Sequence, residues 1–245
     1  MEQVDYSTFR DQFRKIFAQN GLDRFCTEST IASFEAFTEL LCKVNSHTNL
    51  TAIRTIPEII AKHYADCLLA EPFFPQDATV LDVGCGGGFP CIPLAIARQD
   101  LQITAIDSTA KKIAFVQAAA AAQRLSNLNP LCVRAEDPSM ARYKRSFSIG
   151  TSRAVAKLSI LAELVLPYIQ VGGTLIALKG SSGKAEADEA RNAIQALGGE
   201  ISEIREKILC FGDTSESRSI IVVRKSKESP IQYPRQYAAI LKKPL

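Results

Sequence analysis

Val80-Leu81-Asp82-Val83-Gly84-Cys85-Gly86-Gly87-Gly88-Phe89-Pro90 is the stretch on which the reading of the fold turns. An apolar run ending in an acid, glycines at alternate positions, and a proline opening an apolar segment read as strand, tight turn and helix. Glycine is needed in such a turn, where the chain takes positive φ and brings bare backbone up to a ligand, and amides at a helix start favour anionic groups. Pro90 and Pro93 are tolerated in the first helical turn, whose amides have no intrahelical acceptor. The loop has the form of a nucleotide-type site.

Its spacing narrows the ligand. A dinucleotide fingerprint, Gly-x-Gly-x-x-Gly, needs a third glycine where Phe89 stands, which argues against a nicotinamide oxidoreductase. The acid-x-Gly-x-Gly-x-Gly order of Asp82, Gly84, Gly86 and Gly88 is instead similar to the S-adenosylmethionine loop of Rossmann-like methyltransferases. A second strand, Gln102 to Asp107, ends in an acid placed to accept from ribose hydroxyls. The competing reading is a plain glycine turn and an acid that only caps the helix at Thr109.

With 245 residues, 47% of them apolar, the chain can bury a sizeable core, as one domain with an appendage or as two small ones. No apolar run approaches the roughly 20 residues of a membrane span, and Met1-Glu2-Gln3-Val4-Asp5 lacks the basic and apolar regions of an export signal. A cytoplasmic protein with no membrane association is expected. Seven cysteines without a Cys-x-x-Cys pair, and only His47 and His63 beside them, point to reduced thiols and no metal site. Charge is uneven: Arg218 to Leu245 holds seven basic residues and one acid although the whole chain carries only +3. A basic end interleaved with Tyr233 and Tyr237 suits a polyanion, or else is a solvated tail.

Along the chain, Phe9, Phe13, Ile16 and Phe17, then Ile31, Phe34, Phe37, Leu41 and Val44, recur at helical spacing. Gly21 ends the first of these helices. A third helix starts at Thr55-Ile56-Pro57-Glu58 and runs to about Ala70. Residues 1–72 are therefore read as a small helical N-terminal subdomain, 73–226 as an α/β domain and 227–245 as a basic C-terminal tail. After the glycine loop, strands and helices alternate as in a parallel doubly wound sheet. A helix is expected from Thr109 to about Arg124, strands at Leu131 to Ala135 and Phe147 to Thr151, and a helix from about Leu158 to Tyr168. A strand from Thr174 to Lys179, a polar helix from about Lys184 to Leu197 and a short final strand pair, Ile201 to Cys210 and Ser219 to Arg224, complete the order. Seven strands with a final antiparallel insertion match the class I methyltransferase sheet, mostly parallel with helices on both faces. Ligands of such sheets sit at the carboxyl ends of the strands, where Gly84, Asp107, Glu136 and Arg153 fall.

A family resemblance becomes specific in Asn45-Ser46-His47-Thr48-Asn49-Leu50-Thr51-Ala52-Ile53, His63, Asp82 to Leu94, Asp107-Ser108, Arg134-Ala135-Glu136-Asp137, Ser152-Arg153-Ala154-Val155, Leu178-Lys179-Gly180 and Tyr233-Pro234-Arg235. These resemble the bacterial 16S ribosomal RNA guanine-N7 methyltransferases, also called glucose-inhibited division protein B. The resemblance spans nearly the whole chain. It implies S-adenosyl-L-methionine as cofactor, 16S ribosomal RNA or the small ribosomal subunit as partner, a guanine of the 530 loop as target, and a monomer without metal. By position, Asp82, Gly84, Gly86, Gly88 and Phe89 form the cofactor loop, Asp107 takes the ribose, Ala135 and Glu136 line the adenine, and Arg153 closes the site as the catalytic clamp. Asn49, His63, Lys179, Arg235, Lys242 and Lys243 are assigned to the RNA. Asn49 could equally make a local turn bond, His63 pack, and Lys179 pair at the surface. Cys91 and Cys85 replace the glycine and threonine common in the family, both by small residues.

The chemistry is bounded by absences. Thr151-Ser152-Arg153-Ala154 stands where amine methylation calls for Asn/Asp-Pro-Pro-aromatic, and no Pro-Cys or Thr-Cys follows the fourth or fifth strand to supply a nucleophile for carbon methylation. Guanine N7 carries a lone pair and no proton, so it needs position and no general base. The alternatives are a non-catalytic RNA-binding assembly factor on the same fold and a methyltransferase for protein or small molecules. Three intact glycines argue against the first, the basic end against the second.

Overall fold

The structure is a computed structural model that describes residues 8–153 and 155–245; residues 1–7 of the helical segment and Ala154 of the Ser152 to Val155 motif lie outside them. At its centre is β1 (Thr79–Val83), whose Val-Leu-Asp-Val run is buried on both faces as an interior parallel strand requires. Parallel to it lie β2 (Gln102–Asp107), β3 (Leu128–Cys132), β4 (Phe147–Arg153) and β5 (Ile169–Lys179). Two further strands, β6 (Gly199–Phe211) and β7 (Thr214–Lys225), form an antiparallel hairpin. The sheet order is β3-β2-β1-β4-β5-β7-β6, with β7 inserted antiparallel between β5 and β6. This is the class I methyltransferase arrangement expected from the sequence.

Alternation along the strands divides the core in two. Val80, Ile103, Ile149, Ile176 and Ile220 face one apolar cluster, and Leu81, Ile106, Leu175, Ile221 and Val223 face the other. The first cluster takes in the N-terminal helices, α1 (Phe9–Gln19) and α2 (Glu28–Thr48), so residues 9–74 share a core with the sheet. Phe13 stacks on Phe17 with ring centroids 3.8 Å apart, and Phe37 reaches Phe89 of the glycine loop at 5.9 Å. The helix expected from residue 55 is present as α3 (Ile56–Ile59), a π-helical segment (Ile60–Ala65) and α4 (Asp66–Leu68). α5 (Cys91–Ala97) and α6 (Ala110–Ala122) complete this face. The opposite face is covered by α7 (Leu158–Val165), α8 (Gly183–Glu189), α9 (Arg191–Ala196) and α10 (Tyr237–Lys242).

Three expectations are corrected. β3 begins three residues earlier than read, because Pro130, which lacks an amide donor, is tolerated in an edge strand. The polar helix after β5 is two helices that meet at Ala190. The final strand pair is the longest in the sheet, at 13 and 12 residues. β5 pairs only with Ser219 to Arg224 of β7, so the hairpin projects beyond the sheet, and its Cys210 exchanges hydrogen bonds with the Asn20 side chain beyond α1.

The C-terminal segment is strapped to the second face. Lys225 Nζ donates to the Leu197 carbonyl at 2.7 Å, and the amides of Ser226 and Lys227 donate to Gly198 O, each at 2.9 Å. Arg235 then forks onto Glu163, whose carboxylate is fully buried in α7: Nε and Nη2 donate at 2.7 and 2.6 Å, and its backbone amide at 3.0 Å. Ile240 of α10 is buried behind it. Truncating one member of such a pair strands the other charge, so Arg235→Met should cost about 3 to 5 kcal/mol of stability. Lys242→Ser, at an exposed position, should stay within about 0.5 kcal/mol. Urea unfolding at pH 7 measures both, and an Arg235→Met loss below about 1 kcal/mol would mean that Glu163 finds its compensation elsewhere.

Candidate functional site

The turn after β1 is drawn over the end of β2 by two amides, Gly84 N and Cys85 N, which donate to Ile106 O at 2.8 and 3.1 Å. Gly84 and Gly88 have φ of 74° and 93°, where a side chain is strained. A Cβ on Gly88 would also come within 2.3 Å of Ile92 Cδ1, and one on Gly84 within 2.5 Å of Val155 Cγ2. Asp107, at the end of β2, fastens the loop: Oδ2 accepts from Gly86 N at 3.0 Å and Oδ1 from Thr109 N at 2.8 Å. Asp82, fully buried beneath the loop, accepts from Cys91 N through Oδ2 at 3.2 Å. Its Oδ1 has no partner, one of two such buried side-chain atoms among the described residues. Burial outweighs these bonds and the nearby Arg153, and pushes the Asp82 carboxyl up to about 7.

Ala135 and Glu136 follow β3 on the same edge, Ala135 buried and accepting from Tyr168 through its carbonyl, Glu136 paired with Arg134 at 3.7 Å. Arg153, the last residue of β4, is held by the helical segment and the glycine loop. Nη1 donates to Lys62 O at 2.6 Å and to Asp66 Oδ2 at 3.2 Å, Nη2 lies 3.0 Å from His63 Nδ1, and the guanidinium sits 5.1 Å from the centroid of the Phe89 ring. His63 in turn stacks on Phe89 with centroids 4.1 Å apart. Since a guanidinium can only donate, His63 Nδ1 accepts and its Nε2–H donates to Thr51 Oγ1 at 2.8 Å. Burial and the Arg153 charge push His63 down to about 3, so it is a neutral acceptor.

Other residues at this edge had escaped the sequence reading. Asp66 binds Arg218 Nε at 2.7 Å besides Arg153, and Glu216 bridges Arg218 at 2.8 Å and Lys62 at 3.1 Å. The projecting hairpin supplies Glu216 and Arg218, which explains why reading β7 as starting at Ser219 missed them. Asp66 lies three residues beyond His63 on a helical run, a spacing that shares a face and is visible in sequence. Between this chain of charges and the ends of β4 and β5 lies a cavity of about 420 Å³, lined among others by Asp66, Arg153, Lys157, Lys179, Glu186 and Arg218.

The structure thus brings Asp82, Gly84, Gly86, Gly88, Phe89, Asp107, His63 and Arg153 together, and Lys179 lines the adjoining cavity. Asn49 is the exposed left-handed cap of α2, and its neighbour Leu50 abuts Gly87. Arg235 lies against Glu163 instead, and Lys242 and Lys243 are exposed at the end of the strap. Among the described residues no cluster of three or more His, Cys, Asp or Glu could hold a metal ion, and no helix is long and apolar enough to cross a membrane.

Residues 30–210 match the model of a family described as rRNA small subunit methyltransferase G. A ribosomal RNA small subunit methyltransferase G of Lactiplantibacillus plantarum is 37% identical, over 96% of this chain and 97% of its own. One from Clostridium beijerinckii is 41% identical over 86% and 89%. Among solved structures, a SAM-dependent methyltransferase from Aquifex aeolicus superposes with a TM-score of 0.53 at 14% identity, covering 68% of this chain and 93% of that one, a likeness of fold.

The neutral His63 has a consequence for stability. As pH falls from about 6.5 toward 3, the unfolded chain takes up a proton that the folded site refuses, so this contribution is complete above about pH 6.5 and is lost on acidification. Between pH 7 and pH 5 the stability advantage of the native protein over His63→Gln should shrink by about 1 to 2 kcal/mol. Urea unfolding of both proteins across that range tests it. An unchanging difference would show that His63 titrates normally.

Proposed function

The chain belongs to the rRNA small subunit methyltransferase G family, and from that membership and the site geometry we propose that it transfers a methyl group from S-adenosyl-L-methionine to N7 of a guanine in the 530 loop of 16S ribosomal RNA. The observation that carries the cofactor assignment is the loop over Asp82: a glycine-rich turn above a buried carboxylate with one unpartnered oxygen fits a ligand that bears an ammonium group. When bound, S-adenosylmethionine supplies a methyl group on a positively charged sulfur. Gly84 to Phe89 would hold its amino-acid end, Asp107 would accept from the ribose through the lone pairs its loop amides leave free, and Ala135 and Glu136 would line the adenine.

The N7 assignment rests on what surrounds Arg153. Thr151 and Ser152 are buried with their hydroxyls donating into the sheet, to Ile176 O at 2.9 Å and Val83 O at 2.8 Å, so neither is within reach of a substrate amine. Both nitrogens of His63 are engaged, which leaves no free imidazole base beside Arg153. Such a site acts by position, and guanine N7 is a nucleophile that asks for nothing else. Holding it about 3 to 3.5 Å from the methyl group can supply roughly 7 to 11 kcal/mol of the barrier. Arg153 would clamp the purine or its phosphate, with the base turned out of its stack. His63 would serve the RNA through Arg153, while Asn49, Lys242 and Lys243 are exposed for direct contact. The setting is the bacterial cytoplasm, with the small ribosomal subunit or its RNA as partner.

Single-turnover transfer at saturating cofactor should be nearly flat between about pH 6 and 8, because no base must titrate. The product should be cleaved by borohydride and aniline. A rate climbing tenfold per pH unit, or a product that resists cleavage, would overturn the N7 reading. Asp107→Ala should weaken cofactor binding about tenfold or more in calorimetry, with a melting curve to establish that the variant folds. Neutralising Lys242 and Lys243 together should lower the slope of log RNA affinity against log salt by about 1 to 2. An unaltered slope would remove them from the RNA interface.

A further inference from the structure

We propose that the cavity at the carboxyl ends of β4 and β5 is the pocket for the target base, and that Lys179 and Glu186 read the Watson–Crick edge of guanine there. This rests on the guanine-N7 reading above and adds how the base is selected. Lys179, buried at the end of β5, gives two of its three N–H donors to Ala156 O and, at 2.8 Å, to Glu186 Oε2. Glu186 accepts from Leu158 N at 3.2 Å through the same oxygen, while among the described residues Oε1 accepts only from Ser182 Oγ at 3.1 Å. Among the described residues, one ammonium donor and one carboxylate lone pair, on Oε1, are left unused on the cavity lining. Burial works against the Glu186 charge, but the Lys179 hydrogen bond and charge more than offset it and hold the carboxyl below its usual range, so it is ionised at neutral pH.

A donor next to an anionic acceptor tells the two purines apart. Guanine presents O6, which accepts, beside N1–H and N2–H₂, which donate. Adenine presents the reverse, an N6–H₂ donor beside an N1 acceptor, and would set donor against donor and lone pair against lone pair. Arg153, Lys157 and Arg218 on the other walls suit the flanking phosphate. N7 lies on the adjoining Hoogsteen edge, beyond O6 and away from N1 and N2, so a base held at its Watson–Crick edge by Lys179 and Glu186 leaves the N7 lone pair free.

The carboxylate also acts on the rate. In the transfer the N7 lone pair forms the new N–C bond, the S–C bond breaks with its pair left on sulfur, and the positive charge passes to the purine. N1–H and N2–H₂ then become stronger donors, so the bond to Glu186 Oε1 strengthens along the reaction and appears in kcat as well as KM.

The test uses small ribosomal subunits assembled on RNA with guanosine, inosine or adenosine at the target position, and compares native protein with Glu186→Gln. Inosine lacks only the N2 amine. The native protein should prefer guanosine over inosine by roughly tenfold in kcat/KM, and cofactor-free binding should rank guanosine, inosine and adenosine in that order. In Glu186→Gln, the guanosine-to-inosine ratio should fall to within about threefold and kcat on guanosine should drop about tenfold, with cofactor affinity unchanged. A purely structural Glu186 would lower all three substrates alike and keep the ratio. Equal use of guanosine and inosine by the native protein, which requires no variant to fold, or an unchanged ratio in Glu186→Gln, overturns the pocket. Native protein that leaves the methyl group elsewhere than guanine N7 fails the underlying reading instead, whatever the ratio.

Discussion

The guanidinium of Arg153 is the contact on which the arrangement of the site depends. It is the last residue of a central strand, and its donors go to the Lys62 carbonyl, Asp66 and His63 while its face lies toward Phe89. Those partners come from the π-helical segment, from α4 and from the glycine loop, so one planar fork fixes the helical N-terminal part against the sheet edge. Around it the charges alternate: Lys62, Glu216, Arg218, Asp66, Arg153. Half-buried charges of this kind give little net stability and cost more when one partner is missing. Their effect is to permit one relative placement of the elements that carry them.

Positioning of that kind suits the chemistry proposed. The hydroxyls nearest Arg153 are turned inward, the imidazole is kept neutral between Thr51 and Arg153, and the carboxylate under the glycine loop has one oxygen left over. The polar groups at this edge are spent on holding one another or are set for a ligand. A reaction that moves no proton at its nucleophile can proceed in such surroundings.

Much of this was legible in the sequence. The glycine loop, the acids at the ends of β1 and β2, and Arg153 at the end of β4 are local patterns, and alternation of strand and helix placed them on one edge. The sheet order with its antiparallel insertion was legible as well. The reach of the last hairpin was not, because Cys210 to Arg218 is polar and looks like a loop, and it is a strand only through pairing with itself and packing against the N-terminal helices. Arg218 and Glu216 were missed for that kind of reason: their partners Asp66 and Lys62 lie in the N-terminal part of the chain. Arg235 shows the reverse. Its charge reads as a surface feature until Glu163, 72 residues earlier, is found beneath it.

The insertion of β7 between β5 and β6 bears on how the protein comes off the ribosome. β6 is synthesised before the strand that separates it from β5, so this side of the sheet has no complete ladder until residue 225 has emerged. The glycine loop and the five parallel strands can pair earlier, but Asp66 lacks its second guanidinium and Lys62 its hairpin carboxylate until β7 is in place. The site is therefore finished only once β7 has been made, and a nascent chain still short of β7 holds the glycine loop without the wall of charges beside it.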